Sequence, residues 1–138
     1  MRGCRTLDEL LRQESGATAI EFAIVSSVFF TFVIGIAYVG IILFNNMSLD
    51  YAVETAARTV ALNNSATESQ IANNVNAYLT SAGLPAATVE YSTSTIDNVL
   101  TGHIVADYSQ AYTLPFVSTF HLQFSADAYV PLQSVIQS

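Results

Sequence analysis

Charged residues are scarce in this sequence, and positively charged ones are the scarcest. Lys, Arg, Asp and Glu make up 11% of the 138 residues, against about 25% in an ordinary soluble domain. Arg2, Arg5 and Arg12 precede the first long apolar run, and Arg58 alone follows it. Binding to nucleic acid is therefore not expected, because phosphate contacts need Lys and Arg. The acids from residue 21 onward are Glu21, Asp50, Glu54, Glu68, Glu90, Asp97, Asp107 and Asp127.

Cysteine is nearly absent and tryptophan is missing. Cys4 is the only cysteine, so no disulfide is expected beyond the apolar run. The two histidines, His103 and His121, fall on the polar phase of predicted strands, and no hydrolase, zinc-protease or paired-cysteine motif accompanies them. We therefore expect no catalytic residue, no metal site and no cofactor, and predict that the chain is not an enzyme.

One long segment lacks charge altogether. From Phe22 to Phe44 the sequence has no charged residue, Pro or Asn. At about 1.5 Å per residue, a helix of this length covers the roughly 30 Å hydrocarbon core of a bilayer. The run is too long for the apolar core of a secretory signal peptide, and no A-x-A-like cleavage site follows it closely. The segment 22–44 is predicted to span a membrane.

The flanks of the span predict its orientation. The arginines at positions 2, 5 and 12 lie on the N-terminal side, and only Lys and Arg count in the positive-inside rule. The N-terminus is therefore expected in the cytoplasm, with everything after Phe44 carried across the membrane.

Glu21 stands directly before the first fully apolar turn, in the stretch GATAIEFAIV. A carboxylate at such a depth is costly unless it is paired, which favours a functional role. A helix N-terminal acid is also favoured by the helix dipole, by less than about 1 kcal/mol. The headgroup region is wet enough to tolerate a carboxylate, so both interpretations stay open from the residues alone.

The stretch Ser15-Gly16-Ala17-Thr18-Ala19-Ile20-Glu21-Phe22 resembles the processing motif of type IV prepilins. With the Ala-rich segment after the span, it is similar to the TadE-like minor pilins or pseudopilins of tight-adherence (Flp-type) pili, over residues 15–62. The resemblance implies a leader peptide at 1–16, cut by a membrane prepilin peptidase between Gly16 and Ala17. It further implies that Glu21, followed by Phe22, neutralises the new α-ammonium of a neighbouring subunit.

Small residues recur every four positions through the outer two-thirds of the span. Such small-x-x-x-small rows let helix backbones approach closely in lipid, and Ser and Thr hydroxyls can bond across helices. Small residues are also simply common in membrane spans, so the spacing alone leaves that alternative open. The row, called the small ridge below, is expected to pack on another helix: Ala19, Ala23, Ser27, Thr31 and Gly35.

The rest of the chain is predicted to be α+β. The long helix is expected to run over 17–62, because apolar positions continue at helical spacing beyond the span: Leu49, Ala52, Val53, Ala56, Ala57, Val60 and Ala61. A second helix starts at a capping box beginning with Thr67 and ends at Gly83 and Pro85. Three alternating segments then predict a small antiparallel sheet, so that 63–138 forms an exported α+β domain.

Together these features predict a non-enzymatic minor pilin or pseudopilin of a bacterial inner membrane, acting in the biogenesis or structure of an adhesive pilus. Its expected partners are the prepilin peptidase, other pilin subunits through the long helix, and inner-membrane lipid. One alternative is an unprocessed single-span protein with an extracytoplasmic binding domain. A major pilin is the other, and the domain beyond Leu62 argues against it. Residence in the fibre, at its tip or in the membrane is left open.

Overall fold

The computed structural model describes residues 14–63, 65–114 and 118–132. Two helices precede three strands: α1 Glu14–Leu62, α2 Glu68–Ser81, β1 Thr88–Ile96, β2 Val99–Tyr112 and β3 Phe120–Pro131. The α+β prediction is confirmed. Most of the expected leader, including Cys4 and the three N-terminal arginines, lies outside the described residues, as does Asn64 in the turn after α1.

Helix α1 contributes to two compact units, one extending to Ile41 and one comprising Ile42–Ser138. In the first unit the helix is apolar all round and exposed; Phe22, for example, is 73% exposed. The stretch Thr18–Leu62 of α1 is long and apolar enough to cross a membrane, and its most apolar segment is 0% buried. In the second unit one face of the helix is buried, as the spacing predicts. Its buried residues are Leu49, Ala52, Val53, Ala56, Ala57 and Val60. Ala61, expected on that face, is exposed, because the helix ends one residue later.

Helix α2 begins and ends as its sequence predicts. Thr67 Oγ1 accepts a hydrogen bond from the Gln70 amide, while Gln70 Oε1 accepts one from the Thr67 amide, which completes the capping box. Ile71, Val75 and Leu79 are its buried residues. At the C-terminal end Gly83 adopts a φ of 75°, which glycine reaches without strain, and Leu84 N–H donates to the Leu79 carbonyl at 2.9 Å.

The three strands form one antiparallel sheet in the order β1-β2-β3. A two-residue turn joins β1 to β2, with Asp97 and Asn98 both at positive φ and Ile96 opposite Val99, as a type I′ hairpin requires. Strands β2 and β3 pair from Thr101↔Pro131 to Tyr112↔Phe120. Seven of the apolar residues that alternation places on the inner face are buried, namely Val89, Ile104, Ala106, Tyr108, Phe124, Ala126 and Val130. Three others of the same phase, Tyr91, Leu122 and Ala128, are only half-buried.

Candidate functional site: the N-terminal part of helix α1

The expected cleavage bond lies within the first turn of α1. Gly16 and Ala17 are both helical, since the helix begins at Glu14, slightly before the predicted start. The first turn of a helix has amide groups without an intrahelical partner and is the part that opens at least cost. Gly16 is exposed and no atom would lie within 4 Å of a Cβ added there. Gly16 itself is therefore not covered by the described residues.

Glu21 and Phe22 follow on exposed positions of the same helix. Among the described residues, no side chain forms an ion pair or hydrogen bond with the Glu21 carboxylate. Its neighbours in the chain are apolar and exposed, with Ile20 at 64% and Ile24 at 62%. Glu21 therefore offers a carboxylate at the edge of an apolar surface.

The small ridge is exposed throughout, and its hydroxyl groups bond within the helix. Ser27 Oγ donates to the Ala23 carbonyl at 2.7 Å, and Thr31 Oγ1 donates to the Ser27 carbonyl at 2.8 Å. Ser26 Oγ donates to the same Ala23 carbonyl at 3.1 Å. The hydroxyl hydrogens are thus already used, and what the ridge presents to a neighbour is small volume with oxygen lone pairs.

In the compact unit Ile42–Ser138, the described residues form no comparable concentration of reactive groups. Over residues 14–63, 65–114 and 118–132, no three His, Cys, Asp or Glu side chains come together as a metal site would need. His103 lies 3.2 Å from Asp127 and stacks on Tyr129 at 4.1 Å between ring centroids. An open cleft of about 260 Å³ is lined by Thr59, Asn63, Ala66, Gln70, Ile71 and Asn74, none of which titrates near neutral pH.

A polar cluster that the sequence pattern did not predict links α1 to the sheet within this unit. Asn45 is 4% exposed, and its Nδ2 donates to the Tyr112 hydroxyl oxygen at 2.6 Å. The Tyr108 hydroxyl donates to the Asn45 carbonyl at 3.4 Å. Burial, with a smaller contribution from Tyr112, raises the pKa of Tyr108 to about 12. The one sequence feature that indicates a change at this point is the pair Asn45 and Asn46 directly after the apolar run.

Comparison with known proteins finds a similarity over one part of the chain. The sequence profile of the family described as TadE-like protein matches residues 16–58. None of the curated proteins and none of the solved structures compared with the chain matches it. The matched segment lies wholly within α1 and contains Gly16, Glu21 and the small ridge, so the resemblance expected from the sequence is confirmed there. With the apolar helix, it indicates a membrane-anchored, single-pass protein.

Proposed function

We propose, from the TadE-like segment at residues 16–58, that this chain is a minor pilin or pseudopilin of a bacterial tight-adherence pilus. It is anchored in the inner membrane by α1 with its N-terminus in the cytoplasm, and residues beyond Phe44 are exported. A prepilin peptidase cuts the leader after Gly16. The mature protein then acts without catalysis, in assembly or in the fibre, through contacts of α1 with other pilin subunits.

The single observation that carries this proposal is the coincidence of three features on one helix. The matched segment, the exposed apolar surface and the open first turn at Gly16 all belong to α1. An ordinary membrane anchor needs the apolar surface alone. The size of the exported unit, which adds α2 and three strands, supports a minor rather than a major subunit.

Glu21 supplies the assembly contact in this proposal. Cleavage creates an α-ammonium at Ala17, close to the membrane surface, and the Glu21 carboxylate of a neighbouring subunit compensates it. Each charge alone would be costly in a low dielectric, whereas the pair is mutually compensating and sets the axial register between subunits. The exposed, unpaired carboxylate of Glu21 in the described part of the chain supports this role.

The decisive experiment is Gly16→Ile in cells with and without the peptidase. A β-branched side chain stiffens the backbone where the peptidase needs it narrow and extended, so only full-length precursor is expected in membranes. Gly40→Ile is the matched control, since that helical glycine also has nothing within 4 Å of an added Cβ, and it should be processed normally. Intact-mass analysis of the N-terminus distinguishes the forms. Mature-length protein from Gly16→Ile would contradict cleavage directed by Gly16. Full-length wild-type protein in cells that contain the peptidase would instead favour the unprocessed single-span alternative.

A further inference from the structure

The end of strand β2 lies beside the residue at which α1 leaves its apolar run. Asn45 directly follows Phe44, the last residue of that run. The Asn45 side chain bonds the Tyr112 hydroxyl at 2.6 Å, and Tyr112 is the last residue of β2. All of these residues belong to the compact unit Ile42–Ser138. The sheet therefore has one end next to the predicted point of exit from the bilayer.

The two ends of the connection from β2 to β3 lie next to each other beside Asn45. Tyr112 pairs with Phe120 across the two strands, and their rings stack at 5.8 Å. The Thr113 and Thr119 hydroxyl oxygens are 2.9 Å apart. Leu114 and Phe120 are only half-buried, and Phe44 is 55% exposed. Apolar surface thus remains uncovered on both α1 and the sheet at this end, called the Tyr112 end below.

The strands at the Tyr112 end carry no acidic side chain. Their one histidine here, His121, lies opposite Ala111, and the nearest acid of α1 is Asp50, which accepts a hydrogen bond from Asn46 at 3.2 Å. From Tyr108 to Ala126 the sequence contains no Lys, Arg, Asp or Glu, although the whole chain has a net charge of −7. The nearest acids of the sheet, Asp107 and Asp127, lie outside this stretch, and Asp97 lies in the turn at the opposite end of β2. A carboxylate brought against a membrane would be desolvated and repelled by anionic headgroups. The Tyr112 end alone of the sheet avoids both costs.

We propose that the Tyr112 end contacts the headgroup–acyl boundary of the same bilayer that α1 spans. Leu114, Phe120 and Phe44 bury their exposed surface in lipid, and the tyrosine rings lie at the level where aromatic side chains gather in membrane proteins. The lipid surface is the occupant because the exposed Phe44, which ends the apolar run, is the residue next to Asn45 at this end. This inference rests on the membrane-spanning role of α1 proposed above and is independent of cleavage at Gly16.

The absence of tryptophan from the chain allows a direct test by site-specific fluorescence. Single-tryptophan variants Leu114→Trp and Phe120→Trp of the full chain are reconstituted in phosphatidylcholine–phosphatidylglycerol vesicles. Quenching is measured with brominated lipids and with aqueous iodide. The control is Leu100→Trp, an apolar residue 46% exposed near the other end of β2, roughly 40 Å from Tyr112 at the usual strand rise. Phe30→Trp, within the span, reports whether α1 is inserted.

Both tryptophans at the Tyr112 end should be quenched by bromine several-fold more than Leu100→Trp and be protected from iodide. Phe120→Trp exchanges one aromatic ring for another, so a folded reporter remains if Leu114→Trp does not fold. Iodide quenching equal to that of Leu100→Trp would overturn the inference. Protection from both quenchers would overturn it too, because protein would then cover this end. Unquenched Phe30→Trp would refute the span itself, which separates failure of the proposed function from failure of lipid contact alone.

Discussion

At the scale of single residues, Glu21 has two competing interpretations that differ in what removal of the charge does. As a helix-end acid it contributes less than about 1 kcal/mol through the helix dipole. However, α1 begins at Glu14, so Glu21 is separated from the helix start by more than one turn. The dipole effect falls off within the first turn. In the precursor the dipole therefore contributes little at Glu21, whereas cleavage after Gly16 would move the start of the helix to Ala17, close to Glu21. Only replacement of Glu21 distinguishes the two interpretations.

Glu21→Val should leave membrane insertion intact and reduce pilus assembly several-fold. Insertion is preserved because valine makes the span more apolar, while the α-ammonium of the neighbouring subunit loses its counter-charge. Glu54→Val is the matched control: its partner is Arg58 on the exposed surface of the same helix, and such pairs contribute little. Alkaline extraction of membranes checks insertion, and immunoblots of sheared pili check assembly. Equal pilus yields from the two variants would reduce Glu21 to a helix-end acid.

Asn45 and Asn46 are adjacent and have the same side chain, yet their replacement by Ala should change the free energy of unfolding by different amounts. Asn45 is buried and bonds Tyr112 at 2.6 Å, whereas Asn46 is exposed and bonds Asp50 at 3.2 Å. Asn45→Ala is expected to lower the free energy of unfolding by about 0.5–1.5 kcal/mol, because the buried hydrogen bond between Asn45 and Tyr112 is lost. Asn46→Ala should change it by under about 0.5 kcal/mol. Thermal melting of the full chain in detergent measures both, and similar midpoints would contradict the buried contact.

At the scale of elements, the small ridge runs at a slant along α1. Residues four apart advance by slightly more than one turn of a 3.6-residue helix, so the row from Ala19 to Gly35 winds partly round the helix. Rows of this kind favour a crossed, right-handed packing of two helices rather than a parallel alignment. Because the hydroxyls of Ser27 and Thr31 already donate within the helix, close backbone approach is the main contribution the ridge can make.

Replacing Ser27 and Gly35 together with Leu should preserve insertion and lower the yield of crosslinked partner helix. Added bulk holds apart two backbones that Ser and Gly let meet, while the span becomes more apolar. The control double variant, Phe29→Leu with Phe32→Leu, changes exposed residues off the ridge and should crosslink normally. Crosslinking in isolated membranes gives the comparison. Equal yields would mean that the four-residue spacing follows from composition alone.

The elements that sequence predicts well are those whose determinants are local. The capping box at Thr67, the glycine at the end of α2 and the strand alternation around Ile104 and Phe124 need only neighbouring residues, and the structure agrees with each. The contact of Asn45 with Tyr112 joins residues 67 apart in sequence and depends on how the elements pack. The stacking of His103 on Tyr129 likewise depends on strand register, which the polar phase of a single strand does not define.

At the scale of the whole molecule, the second compact unit takes most of its helical core from α1, which supplies six of the nine buried apolar residues on the two helices in the described part of the chain. The second compact unit begins at Ile42, in the middle of a continuous helix, whereas the sequence places a domain boundary at 62/63. The boundary at 62/63 remains a prediction. The helical periodicity of the sequence is uninterrupted at Ile42, so it does not indicate a boundary. The structure does, because Leu49, Val53 and Val60 beyond it are only 0–1% exposed. An anchor and a structural core are therefore made from one helix.

A fragment comprising residues 45–138 should fold alone, whereas residues 63–138 should not. The longer fragment keeps the buried side chains of Leu49, Val53 and Val60, each worth about 1.5–3 kcal/mol on burial. Together these contributions rival the roughly 5–15 kcal/mol net stability of a domain, so their loss should abolish cooperative unfolding. Urea denaturation followed by circular dichroism distinguishes a sigmoidal transition from a gradual one. Leu49→Ala in the longer fragment should cost about 2–5 kcal/mol as a graded control.

Because Cys4 lies outside both fragments, dithiothreitol should leave the transition of the longer one unchanged. A cooperative transition in residues 63–138 would show that α2 and the sheet form a core without α1, and would move the folding boundary to the one that the sequence suggests.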